Sequence, residues 1–345
     1  MEIMEEAFEL EKEGRDIIHL EIGEPDFDTP EVIKKEAIKA IGDGMTNYTH
    51  SLGILPMREA VAEHYLDKYG VSFSPDRVVV TSGTSPALLL IFSSLVSPGD
   101  EVILTNPCYA CYPNFVKYVG GVPRFINVYD RDNYELDVEG VKKILGRRTK
   151  AILINSPSNP TGTVISKEKL KEIAGLGITV ISDEIYHGLV YEGDEETILS
   201  SGDEAFVLNG FSKAYAMTGW RLGYLIAPKK YVRTIQKLQQ NLFISANDFV
   251  QHAGVVAIRE GQLHVEEMKK VFNDRRKVMI EEIKKVGFVV RSEPKGAFYV
   301  MADIRAFSRD SLSFAFELLR EAGVGATPGV DFGSNGEGFL RFSYA

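Results

Sequence analysis

Several reactive side chains each stand just past a short apolar run. Lys213 follows Ala205-Phe206-Val207-Leu208 by way of Asn209-Gly210-Phe211-Ser212. Asp183 follows Ile178-Thr179-Val180-Ile181, and Tyr186 comes three residues later. Gly83-Thr84-Ser85 follows Arg77-Val78-Val79-Val80 and opens a helical pattern. Tyr109 lies in a loop stiffened by Pro107 and Pro113, after Glu101-Val102-Ile103-Leu104. Arg221 closes the segment Thr218-Gly219-Trp220-Arg221. An amine condenses with an aldehyde. A carboxylate can hold a proton on a heterocyclic nitrogen. Backbone N–H groups at a helix start bind phosphate, and a guanidinium fork adds charge-assisted bonds. An aromatic side chain stacks on a ring.

One ligand uses all of these groups: pyridoxal phosphate, with its aldehyde, phenolic oxygen, ring nitrogen and phosphate. Taken singly, each residue also has a plainer reading. Asp183 serves equally as a turn or cap residue. Gly83 makes an ordinary turn, and Lys213 a solvated charge. Arg221 would make a surface ion pair of small worth, and Tyr109 would pack in the core.

The elements that must position them favour the joint reading. β-branched runs alternating with helical patterns predict a parallel sheet covered on both faces. The run Ala151-Ile152-Leu153-Ile154 belongs to the same series and ends in Asn155-Ser156-Pro157-Ser158-Asn159. A further strand, Leu222 to Ile226, can pair antiparallel. Ligands of open α/β sheets bind beyond the carboxyl ends of the strands, where every one of these residues falls. The pattern then changes. Helices are expected over Val232 to Phe243 and Ala253 to Val286, with strands at Gly296 to Val300 and Gly338 to Phe342. A Glu-rich helix is expected from Met1 to Gly14. The expected architecture is α/β, a large domain over 44–231 with a mostly parallel sheet between helices. A smaller α+β domain, from 1–43 with 232–345, completes it.

The chain has 345 residues, 44% hydrophobic and 26% charged, with a formal net charge of -10. That composition suits a folded protein and gives no basic footprint for nucleic acid. No apolar run approaches the ~20 residues of a membrane span, and no signal peptide is evident. A cytoplasmic location is expected. There is no internal repeat or low-complexity linker. Cys108 and Cys111 form a C-x-x-C pair, open to a redox reading. Metal binding needs further ligands of matching spacing, and none is evident.

The segments Ser158-Asn159-Pro160-Thr161-Gly162, Asp183-Glu184-Ile185-Tyr186, Ser212-Lys213 through Thr218-Gly219-Trp220-Arg221, and Arg341-Phe342-Ser343-Tyr344-Ala345 resemble the class I/II aminotransferases of pyridoxal-phosphate fold type I. Ile22-Gly23-Glu24-Pro25-Asp26-Phe27 resembles the same family. The resemblance implies that Lys213 carries the cofactor and then moves the substrate proton. Asp183 would pair with the ring nitrogen. Tyr186 and Asn159 would bond the phenolic oxygen, and Tyr109 would stack on the ring. Gly83, Thr84, Ser85, Arg221 and Ser212 would hold the phosphate. Tyr48 would reach the neighbouring subunit's phosphate in a homodimer with a shared site. Arg341 would grip the substrate carboxylate, helped by Asn159 and the Gly23 backbone.

The implied activity is ping-pong transfer of an α-amino group from an amino acid to a 2-oxo acid. Aspartate with 2-oxoglutarate, aromatic and aliphatic donors are all compatible. A carbon-sulfur β-lyase of the same fold is the alternative. The sequence departs from the family at Gly210, where relatives carry a phosphate-binding serine, and at Ser85, where some carry a lysine for a distal carboxylate.

Overall fold

The computed structural model describes residues 2–345. Its centre is a seven-stranded sheet in the order Val78–Thr81, Gly223–Ile226, Phe206–Gly210, Thr179–Asp183, Thr149–Asn155, Glu101–Asn106, Val122–Asn127. All neighbours run parallel except Gly223–Ile226, which is antiparallel to both of its partners.

Strand periodicity explains how one sheet feeds two cores. Val78 and Val80 pack on one face and Val79 on the other. In the same way Ile152 and Ile154 face one core, and Ala151 and Leu153 the other. The helix Thr84–Leu95 covers the second face through Leu88 and Ile91. The helices Leu55–Tyr69, Glu31–Gly42 and Asp248–Glu260 cover the first, with Met57, Ile33 and Ala253 in its core.

The edge strand Val122–Asn127 has no counterpart among the expected strands. It carries Pro123 and Arg124 and is exposed or half-buried throughout. An edge strand needs donors on one side only, so it tolerates proline and lacks the continuous apolar signal.

A second core lies beyond the sheet edge. Tyr299–Asp303, Phe339–Ser343 and Thr327–Pro328 form an antiparallel sheet. The helix Glu2–Lys12 packs Ile3 and Ala7 against it, beside Phe272, Phe298 and Leu319; Met1 lies outside the described residues. Ile18–His19 pairs with Val324–Gly325.

The single helix expected over Ala253 to Val286 is two helices, Asp248–Glu260 and Gln262–Lys285, separated at Gly261. A Cβ there would lie 2.4 Å from the Ala257 carbonyl and 3.0 Å from the Tyr215 ring, so only glycine fits the bend. Among the described residues no helix is long and apolar enough to cross a membrane.

Candidate active site

A cavity of about 400 Å³ opens where the carboxyl ends of the parallel strands meet the second core. The sheet side supplies Thr84, Ser85, Tyr109, Asn159, Asp183, Tyr186 and Lys213; the other side supplies Gly23, Tyr299, Thr327, Phe332 and Arg341. Ile3 and Met4 of the first helix line it too.

Asp183 ends its strand and is buried. Its Oδ2 accepts from the Tyr112 hydroxyl at 2.7 Å and its Oδ1 from the Ile185 N–H at 3.1 Å. Burial pushes its carboxyl up to about 6, against the pull of those two donors. Lys213, half-buried, donates to the Gly23 carbonyl at 2.7 Å. Burial holds its amine down to about 8; Arg341 and Arg221 push the same way and Glu24 opposes them. A neutral amine is therefore within reach near physiological pH.

Across the cavity, Arg341 Nη1 donates to Asn159 Oδ1 at 2.9 Å. Its Nη2 donates to the Glu21 carbonyl at 2.7 Å and to Thr327 Oγ1 at 3.1 Å. The guanidinium lies between the Tyr299 ring at 4.2 Å and the Phe332 ring at 4.9 Å. Its buried Nε has no hydrogen-bond partner among the described residues. Asn159 Nδ2 donates to the Tyr186 hydroxyl at 3.4 Å, and that hydroxyl meets Tyr299 Oη at 2.9 Å.

The helix Thr84–Leu95 starts at Gly83, with φ of 91° and no side-chain cap. Its first N–H groups are thus open to an anion. Arg221 folds over this turn: a Cβ on Gly83 would lie 2.5 Å from Arg221 Nη2. The φ favours glycine there.

The structure therefore gathers Gly23, Thr84, Ser85, Tyr109, Asn159, Asp183, Tyr186, Lys213 and Arg341 around one cavity, with Gly83 and Arg221 at its helix-start corner. Ser212 adjoins Lys213 in the chain but is outside the wall. Tyr48 is 82% exposed and outside it as well. Gly23 supplies its carbonyl to Lys213, and a Cβ there would lie 2.2 Å from Tyr299 Oη.

Sequence reasoning missed Tyr112, Asn155, Tyr299 and Thr327. Asn155 ties two site residues together: its Oδ1 accepts from the Asn159 N–H at 2.7 Å, and its Nδ2 donates to the Asp183 carbonyl at 2.9 Å. Its place at a strand end was the available signal. Tyr112 stood in the right loop, three residues after Tyr109. Tyr299 reads as an ordinary strand aromatic, and nothing local marks it.

Comparison with known proteins gives consistent results. The model of the family "Aminotransferase class I and II" matches residues 15–345. The chain is 45% identical to a (5-formylfuran-3-yl)methyl phosphate transaminase of Methanocaldococcus jannaschii, over 100% of this chain and 91% of that protein. It is 39% identical to an aspartate aminotransferase of Pyrococcus horikoshii, over 99% of this chain and 89% of that one. A solved structure of Thermus thermophilus aspartate aminotransferase, a double mutant, superposes with a TM-score of 0.95 at 37% identity, covering 99% of this chain and 91% of that one. These relatives are transaminases, and the β-lyase alternative finds no support among them.

Proposed function

The chain belongs to the class I and II aminotransferases, and from that premise we propose that it moves an α-amino group from an amino acid to a 2-oxo acid using pyridoxal phosphate carried on Lys213. The observation that carries this reading is the convergence on one cavity of a depressed lysine, a buried carboxylate and a buried guanidinium.

The residues present fit the cofactor. Asp183 has two donors for a carboxylate that can accept about four, which leaves capacity for a protonated ring nitrogen. Tyr186 and Asn159 sit together to meet a phenolic oxygen, and Tyr109 offers a ring face. The uncapped helix start at Gly83, Thr84 and Ser85, with Arg221 beside it, suits a phosphate. Ser212 is the weakest member of this set, being off the cavity wall. When bound, the cofactor supplies an electron sink for the bonds at the substrate α-carbon.

The chain's own residues do the rest. Arg341 receives the substrate carboxylate through its stacked fork, with Asn159 setting the fork's plane. Lys213, once released, is the base that takes the α-proton at Nζ and returns it. Its rest position on the Gly23 carbonyl keeps the amine at the floor of the cavity. Asp183 would hold the ring nitrogen with its carboxylate, and its burial would make that interaction strong.

The same proposal includes a homodimer in which Tyr48, exposed in the single chain, reaches the partner's phosphate. It also includes a cytoplasmic location. The large and small domains are taken as 44–231 and as 1–43 with 232–345, with Glu31–Gly42 and Asp248–Glu260 packed on the large sheet.

The test is covalent mapping followed by turnover. Holoenzyme reduced with borohydride and digested should yield a cofactor adduct on the Lys213 peptide. A panel of amino donors against 2-oxoglutarate and pyruvate should yield a new amino acid in stoichiometric amount. An adduct on another lysine, or ammonia released without an oxo-acid acceptor, would refute the reading.

A further inference from the structure

Tyr112 is a fully buried phenol on the helix Cys111–Tyr118, and it lines the cavity wall. Its hydroxyl donates to Asp183 Oδ2 at 2.7 Å. Its ring meets Tyr109 edge-on, with centroids 5.4 Å apart and planes at 82°. One side chain thus touches both the carboxylate that would hold the ring nitrogen and the aromatic that would stack on the ring. Its phenol is pushed far above its ordinary range, first by burial and then by the Asp183 charge, so it remains a donor at every working pH.

We propose that Tyr112 is a positioning residue for the transamination: its hydroxyl occupies Asp183 Oδ2, holds that carboxylate ionised, and turns its remaining lone pairs toward the ring nitrogen. The proposal rests on the reading of Asp183 given above. Among the described residues, Asp183 is otherwise held by the Ile185 N–H alone on its side chain, with Asn155 fixing its carbonyl. The other titratable groups acting on it are Glu184, which opposes its ionisation, and His187, which favours it. Tyr109 and Tyr186 are close by on the cavity side, and Lys213 and Arg341 share the cavity. Of all these, Tyr112 has the largest ionising effect on Asp183.

The experiment is Tyr112→Phe, which deletes one oxygen and keeps the edge-on packing. Equilibrium binding of pyridoxal phosphate is measured by fluorescence from about pH 5 to about pH 9, alongside kcat against pH and thermal unfolding. Wild-type affinity should hold down to about 6, where Asp183 takes its proton. In Y112F the fall should begin about one unit higher. Affinity should be roughly twofold lower near pH 7 and approach tenfold lower below about pH 6, with the curves converging at high pH, as expected for one lost bond to a charged acceptor. The kcat profile should move in the same direction, with little change in unfolding temperature. Superimposable binding curves would overturn the proposal. So would a loss uniform across pH, or a variant that does not fold, since either makes the role one of packing. A wild-type chain that binds no pyridoxal phosphate would sink the Asp183 reading itself; an unshifted Y112F curve beside a normal wild type sinks only the role of Tyr112.

Discussion

Arg341→Lys is the substitution that most directly tests carboxylate recognition, because it keeps the charge and removes the fork. The native guanidinium makes three directed bonds, to Asn159 Oδ1, the Glu21 carbonyl and Thr327 Oγ1, and is clasped between Tyr299 and Phe332. An ammonium is a point donor and cannot hold that plane while also presenting two parallel donors to a substrate. One charge-assisted bond to the carboxylate is lost, about 1.5–3 kcal/mol. That loss predicts that kcat/KM for an amino acid falls roughly tenfold to somewhat over a hundredfold. Much of the cation–π contact to Tyr299 and Phe332 goes too, and that loss falls on stability. The assay compares each amino acid with its own carboxamide in a single half-reaction. Wild type should prefer the acid strongly, and R341K should lose most of that preference. Asn159 Oδ1 and the Glu21 carbonyl also lose a buried partner, so the unfolding temperature should fall by several degrees. A variant within about threefold of wild type on the acid would refute the reasoning. An equal loss on acid and amide would show that Arg341 only props Asn159.

Other outcomes follow from the same geometry. The folded-state carboxyl of Asp183, at about 6, is above its ordinary value of 3.8. The folded chain therefore binds more protons than the unfolded one between those values, and stability is lost as pH rises through that window, by roughly 3 kcal/mol above it. Cofactor-free Asp183→Asn should then unfold at a higher temperature than wild type near neutral pH, with no gain near pH 4, and should bind cofactor worse; lower stability at both pH values would contradict this. Capture of pyridoxal phosphate by the cofactor-free chain needs a neutral Lys213, so its rate should climb and level off at about 8; levelling near 10.5, the ordinary value, would show that burial does not act on Lys213. Gly23→Ala places a methyl 2.2 Å from Tyr299 Oη, displacing that ring from Tyr186 and Arg341; KM for the amino acid should rise about tenfold, and an unchanged KM would mean Tyr299 yields freely. Replacing Cys108 and Cys111 together by serine should leave turnover within about twofold, since burial pushes the Cys108 thiol up to about 12 and keeps it from reacting as a thiolate. Loss of activity with cofactor still bound would restore the redox reading.

The strand ends were legible because continuous apolar runs are rare and end abruptly. Thr149–Asn155 and Thr179–Asp183 are buried almost throughout and carry Asn155 and Asp183 at their last positions. Lys213 and Asp183 could thus be assigned to one edge before any geometry was known. The edge strand Val122–Asn127 was not legible, because half-exposure erases the apolar signal that marks its neighbours. The break at Gly261 was hidden for a related reason: glycine inside a helical pattern does not by itself end it, and the Tyr215 ring that enforces the bend comes from 46 residues earlier in sequence (261 − 215). Tyr299 was missed because its partners, Tyr186 and Arg341, come from two distant segments. Pairings across the cavity depend on how two cores meet, and no local periodicity encodes that.

Asp183 and Glu184 show how the fold separates a working carboxylate from a structural one. They are consecutive, both buried, and both pushed upward first by burial. Asp183 is the last residue of its strand and Glu184 the first beyond it, and of the two only Asp183 lines the cavity. Glu184 turns away from the cavity. There its Oε1 accepts from Ser182 Oγ at 3.0 Å, Thr197 Oγ1 at 3.0 Å and the Ile198 N–H at 3.1 Å, while Oε2 accepts from the Tyr65 hydroxyl at 3.2 Å and lies 3.5 Å from His187 Nδ1. Those bonds pin the strand end to the 195–198 segment and to the helix Leu55–Tyr69. Glu184 has no capacity left for a ligand. Asp183 receives two donors and keeps an unspent face toward Lys213 and the cavity. The free energy that a saturated carboxylate would put into stability is held back there, which is why Asp183→Asn is predicted to stabilise the cofactor-free chain. In Glu184→Gln the new amide group would face donors already committed, leaving them unpaired. That variant should lose stability by roughly 1–3 kcal/mol, the opposite sign from its neighbour. Denaturation of the two cofactor-free variants side by side decides the matter: the same sign at both positions would mean that burial alone, and not hydrogen-bond saturation, distinguishes the pair.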